Sequence, residues 1–220
     1  MTDWQIIWEV RDIFLSGVWT TLWLFLVSFA GAFLFGCVAH FGLSGSAVTC
    51  VVVKGYISVM RMLPFLILAY LIYYGAPELG FRINAWVAGA AALSIYHGAY
   101  LAEILRGSNL TLPVGQAEAA LAQGFRRLPL YLRITLPQLL MRSRPLIGNQ
   151  MVYALKDTAF LSIITLQELT AAASAVQASY FIPTKAFLVS IGFYVLLTLL
   201  IDLYMQRLAR YGVARGIEHA

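Results

Sequence analysis

Apolar residues in this chain gather in runs of about twenty, the length that crosses a bilayer as a helix. The alternation that marks the strands of a membrane barrel is missing. Ile13 to Val53 contain no Asp, Glu, Lys or Arg, and around Trp19, Leu22, Phe25, Phe29 and Phe33 the chain is apolar on every helical face. In lipid only helices and closed barrels satisfy the backbone, so these runs are read as helices. The pattern predicts five spans, near 16–39, 57–76, 84–105, 146–167 and 186–206. The stretch from Leu169 to Thr184 is Ala- and Ser-rich and only mildly apolar, and reads as an outer-face helix or a re-entrant piece.

Between the third and fourth spans lies a polar loop, 106–145, long enough to need a reason. Gln116 to Gln123 holds good helix formers with Glu118 near its start, and Gly124 stands where a helix should end. Leu130 to Leu136 predicts a second short helix that Pro137 stops. A helix, a glycine bend and a second helix suit insertion into a cleft on another protein. Ala119, Ala120 and Ala122 allow close approach, and Arg126, Arg127 and Arg133 supply charge for a partner or for lipid headgroups.

Composition agrees with a membrane class: of 220 residues, 61% are hydrophobic and 11% charged, against about a quarter charged in soluble domains. The net charge of +5 does not form the continuous stripe that nucleic acid would need. Lys54, Arg61, Arg106, Arg126, Arg127, Arg133, Arg142, Arg144, Arg207, Arg210 and Arg215 fall on one side of the predicted spans, and only Arg11, Arg82 and Lys185 on the other. The basic side is expected to be cytoplasmic. That places residues 1–15 outside, 16–207 in the membrane with the 106–145 loop inside, and the tail 208–220 inside. Cys37 and Cys50 show no CxxC spacing and no metal-ligand partners.

The spacing Glu118-Ala119-Ala120, three residues, Gly124, nine residues, Ile134, one residue, Leu136-Pro137 reproduces the EAA loop of ABC importer permeases. Tyr100 to Gly107, Val114 to Glu118, Pro145 to Asn149 and Leu155 to Thr158 resemble the polar amino-acid subgroup of that family. The resemblance covers most of residues 56–207. It implies an all-α integral membrane protein of the type I importer fold, in the bacterial inner membrane. It also implies that Glu118, Ala119, Ala120 and Gly124, with Arg126 and Arg127, couple the chain to an ATPase. Implied partners are two ATPase subunits, a second permease identical or homologous to this one, an extracytoplasmic binding protein and an amino acid or opine. The chain has no GxxxxGK[ST] phosphate loop, so ATP and Mg²⁺ belong to the partner and no cofactor or metal is expected here. Arg61 and Pro64 resemble the family's Arg-Gly-Thr-Pro segment, but Met62 and Leu63 replace the central pair.

Candidates for the solute path come from polar residues inside the spans. Lys156 and Asp157 read either as a mutually neutralised pair or as groups that meet the carboxylate and ammonium of an amino acid. Neighbouring helix positions point about 100° apart, so both do not readily face one small ligand. Tyr96, Tyr100 and Glu103 share one helical face, beside His97, at a position where family members often carry Asn. Glu103 also has the bland alternative of an i,i+3 pair with Arg106. Asn149 and Thr158 complete the set. Ala32 with Gly36, and Gly98 with Ala102, are small residues at i,i+4 and predict close helix packing. HExxH, GxSxG and paired acidic motifs are absent, which argues against a membrane-embedded enzyme. An ATP-independent channel or ion-coupled carrier is the alternative.

Overall fold

The computed structural model describes residues 2–214, with side chains through residue 210, and among these every regular element is helical. Arg215 and the end of the 208–220 tail lie outside the described residues.

A short helix, α1 (Asp3–Glu9), leads into α2 (Arg11–Gly42), so the first long helix starts several residues before the predicted span. At 1.5 Å per residue its 32 residues extend about 48 Å. With α11 (Pro183–Ala214), α2 is one of two single helices among the described residues long and apolar enough to cross a bilayer. The second predicted span is not straight. α3 (Ala47–Met62) and α4 (Phe65–Gly75) meet at 106°, broken by Leu63 and Pro64. Pro64 has no N–H to continue the ladder and forces Leu63 into an extended conformation.

α5 (Ala85–Asn109) is the centre of the fold. Ala88, Ala92, Leu93, His97, Gly98, Ala99, Leu101, Ala102 and Leu105 are all buried on it. It packs against α2, α3, α4 and α9 (Arg144–Asp157), and this shielding explains how a helix carrying Ser94, Tyr96 and His97 sits in a membrane protein. The predicted small residues make the α2–α5 contact. A Cβ added to Gly36 comes within 2.7 Å of the Leu101 Cβ, and one added to Gly98 within 2.7 Å of the Phe35 Cβ. Ala39 and Ala102 continue the seam with Ile57 of α3.

The chain passes from α9 through a 3₁₀ stretch, Thr158–Ile164, into α10 (Leu169–Tyr180), at a 49° bend. The predicted weak segment is thus a real helix, and its small residues explain its place: Ala172 abuts Gly17 of α2. Glu168 caps it, accepting from the backbone N–H groups of Thr170 at 2.8 Å and Ala171 at 2.7 Å, and from Tyr194 Oη at 3.0 Å. Lys185 at the start of α11 pairs with Asp3 of α1. The beginning of the chain therefore meets the end of α11 farthest from the C-terminus.

Candidate functional site

Two sets of predicted residues emerge as separate places in the molecule, an exposed loop and a buried polar cluster.

The loop is helical through most of its length. α6 (Val114–Ala122) follows Pro113, whose fixed φ suits a helix entry. It ends at Gln123 and Gly124, where Gly124 has φ +85°, a left-handed conformation that glycine adopts without Cβ strain. A Cβ added there meets no heavy atom of the described residues within 4 Å. Glu118, Ala119, Leu121 and Ala122 are exposed along α6, whereas Ala120 is 6% exposed and turns into the chain. Ala120 therefore does not offer itself to a partner as expected; it seats the helix. Arg126 and Arg127 are exposed beyond the bend.

The second arm differs from expectation. α7 (Arg127–Leu130), a π-helical turn Tyr131–Thr135 and α8 (Leu136–Arg142) follow one another directly, and Pro137 lies in the first turn of α8 rather than stopping the helix. In a regular α-helix the Pro137 ring would strike the carbonyl four residues back; the wider π turn before it makes room. The arm is tied to the membrane helices. Ser143 Oγ donates to Ser108 Oγ at 2.6 Å, Arg142 Nη1 to the Thr111 carbonyl at 2.9 Å, and Tyr131 Oη to the Cys37 carbonyl of α2 at 3.0 Å. Burial pushes the Tyr131 hydroxyl well above its ordinary range, so it remains a neutral donor.

The polar cluster gathers Tyr96, His97, Tyr100 and Asp157. Tyr96 and Tyr100 hydroxyls lie 3.2 Å apart, and Phe65, just past the Pro64 break, packs against Tyr96, His97 and Phe160. His97 is 1% exposed. Gln150 Nε2 lies 2.7 Å from its Nδ1 and donates to it, which leaves the ring proton on Nε2, 3.4 Å from Asp157 Oδ2. That second contact has ion-pair distance without hydrogen-bond alignment, so the buried Nε2 faces a half-buried carboxylate while finding no hydrogen-bond partner among the described residues.

The remaining candidates go elsewhere. Glu103 makes the i,i+3 pair with Arg106 (Nε–Oε2 2.7 Å) and also pairs with Arg61 (Nη1–Oε1 2.9 Å). It ties the end of α3 to α5 and is not in the cluster. Lys156 is exposed and borders a cavity of about 430 Å³ with Ile191, Tyr194 and Thr198, so Lys156 and Asp157 leave the helix on different sides and are not joined as a pair. Asn149 is exposed, and Thr158 is buried with its hydroxyl donating to the Leu155 carbonyl at 2.7 Å. Gln150, Phe65 and Tyr131 escaped sequence reading. Gln150 carried a signal, as a polar residue two turns before Asp157 in a predicted span.

Similarity to known proteins agrees with this architecture. A family profile described as binding-protein-dependent transport system inner membrane component matches residues 32–211. The glutamine transport system permease protein GlnP of Escherichia coli is 31% identical over 211 residues, covering 94% of this chain and 96% of its own. The octopine transport system permease protein OccQ of Rhizobium radiobacter is 32% identical over 208 residues, 87% of each chain. Among solved structures, a chain of an amino acid ABC transporter with histidines superposes with a TM-score of 0.84 at 28% identity, covering 96% and 99%. A chain of the MetNI methionine ABC transporter shares the fold at 0.75 and 18% identity, with the same coverage.

Proposed function

Because the chain belongs to the family of binding-protein-dependent transport system inner membrane components, we propose that two ATPase subunits dock on α6 and drive uptake through it. The fold is that of a type I ABC importer permease, and the chain is the permease component of an amino-acid or opine importer. Its place is the inner membrane. A second permease subunit completes the path, and an extracytoplasmic binding protein delivers the solute. The 106–145 loop and the 208–220 tail face the cytoplasm, and residues 1–15 face outward, in keeping with the bias of Lys and Arg toward the loop side. ATP and Mg²⁺ act in the partner.

The observation that carries the docking reading is the form of the loop. α6 presents Glu118, Ala119 and Ala122 outward, next to a left-handed glycine whose missing side chain leaves open space. An exposed helix with small residues and free room over its C-terminal bend is what a cleft on another protein accepts. The Tyr96, His97, Tyr100 and Asp157 cluster is the best-supported place for solute contact, since a carboxylate among aromatic rings suits an ammonium group. Two measurements test the reading. Affinity purification of the intact chain should recover an ATPase, and hydrolysis by the reconstituted complex should rise when its binding protein carries the right amino acid. Recovery of no ATPase, or solute flux driven by an ion gradient without ATP, would exclude it.

A further inference from the structure

Tyr131 sits where the docking loop meets the first long helix. It opens the π turn after α7, is 7% exposed, and reaches a helix about ninety residues away in sequence. Its hydroxyl donates to the Cys37 carbonyl at 3.0 Å and lies 3.2 Å from His40 Nδ1. One hydroxyl proton serves one acceptor, so His40 must carry its own proton on Nδ1 and donate to the tyrosine oxygen. The ring packs on His40 and Phe41, with centroids 5.6 and 5.1 Å apart. Two hydrogen bonds and two ring contacts on the last turns of α2 hold the side chain in one position.

Two other hydrogen bonds of the second arm return to α5 or its end, Ser143 to Ser108 and Arg142 to Thr111, and Leu140 packs in a cluster shared by Ala32 of α2 and Leu101 of α5. α2 and α5 are themselves interlocked at Gly36 and Gly98, where no side chain fits between them. α6 joins α5 directly through residues 110–113. On its other side a displacement of α6 passes through Gly124 to α7 and the π turn, where Tyr131 makes the contact with α2.

We infer that Tyr131 is a positioning residue that acts as a strut, carrying movement of the docking loop to α2 and so to the α2–α5 pair. The inference rests on the docking role proposed above. A π turn supports it physically: the widened turn both frees the chain to accept Pro137 and directs Tyr131 at α2. Coupling of this kind runs through contiguous packed groups, and its loss uncouples two events without abolishing either.

The test uses the full importer in liposomes. Tyr131→Ala should still bind the ATPase and hydrolyse ATP, while solute moved per ATP falls about fivefold. Tyr131→Phe keeps the ring, loses the two hydrogen bonds and should fall between; it decides the matter if the alanine variant does not insert. In a background with Cys37→Ala and Cys50→Ala, His40→Cys with Tyr131→Cys bridged by a short bifunctional thiol reagent should regain transport per ATP over the unbridged pair. Unchanged transport per ATP in both single variants, or a bridge that stops transport, would overturn the strut. Failure of the docking role is distinguishable, because the parent importer would then bind no ATPase at all.

Discussion

Gly98 and Gly124 are the same residue used for opposite ends. At Gly98 the backbone is ordinary helix and space is lacking: an added Cβ lies 2.7 Å from the Phe35 Cβ and 3.3 Å from the Ala32 carbonyl. At Gly124 space is open and the backbone is special, with φ +85°. The α2–α5 seam is complete within the chain, so its glycines are explained by neighbours that the chain itself supplies. The α6 bend is not complete; its glycine faces a vacancy that a partner is proposed to fill. Substitutions at the two positions should therefore fail in different ways.

The largest effect is expected from Gly98→Ala. One methyl group forces α2 and α5 apart along their seam, and overpacking of this kind costs about 2–3 kcal/mol. The detergent-solubilised complex should lose its denaturation midpoint and its yield together. Parental melting would show that the seam is looser than its geometry, and the contrast with Gly124 would collapse. Gly124→Val comes next. The left-handed backbone is strained by about 1–2 kcal/mol for an L side chain, yet the chain should insert and melt close to parent. ATP-driven uptake should fall about tenfold, the scale of a lost coupling between sites. Normal uptake by that variant would remove the case for docking at the bend.

The same contrast explains what was legible in the sequence. Local features were: the loop helix ending near Gly124, the small-residue seam of Ala32, Gly36, Gly98 and Ala102, and the separation of Lys156 from Asp157 all follow from spacing along one helix. Long-range features were not. Pro64 marks a break, but the 106° turn depends on Phe65 finding a seat against Tyr96 and α5. Pro137 reads as a stop because the widened turn that absorbs it leaves no signature in composition. Ala120 looks like its neighbours Ala119 and Ala122 until the fold shows which side of α6 is covered. Glu168, buried and completing a cap with Tyr194, falls between the span predicted to end at 167 and the weak segment that starts at Leu169, and no local spacing points to its partner on α11.

Asp157→Asn carries the comparison into the membrane core, where the polar cluster is neither closed like the seam nor open like the loop. The substitution keeps the shape and removes the charge that His97 Nε2 faces at 3.4 Å. Melting should stay near parent, because the contact lacks hydrogen-bond alignment and little is lost with it. Uptake at low solute concentration should fall about fivefold if the carboxylate meets the ammonium of the solute, a loss of about 1 kcal/mol. Unchanged uptake would assign the cluster to packing alone.

The smallest effect is expected at Glu103, which shares a helical face with Tyr96 and Tyr100 but not their surroundings. Its carboxylate bridges Arg61 and Arg106, whose side chains are 45% and 41% exposed, and it is itself 25% exposed. Ion pairs so placed are screened by water and salt, so Glu103→Gln should cost at most about 1 kcal/mol, less at high ionic strength. Two arginines then face a neutral amide, and the end of α3 loosens from α5 without exposing any apolar surface. Uptake should change little, with the residual loss shrinking further as salt is added. A collapse of uptake with unchanged melting would place Glu103 on the solute path after all. The polar face of α5 would then run unbroken from Tyr96 to the level of the docking loop, joining the two regions that the geometry holds apart.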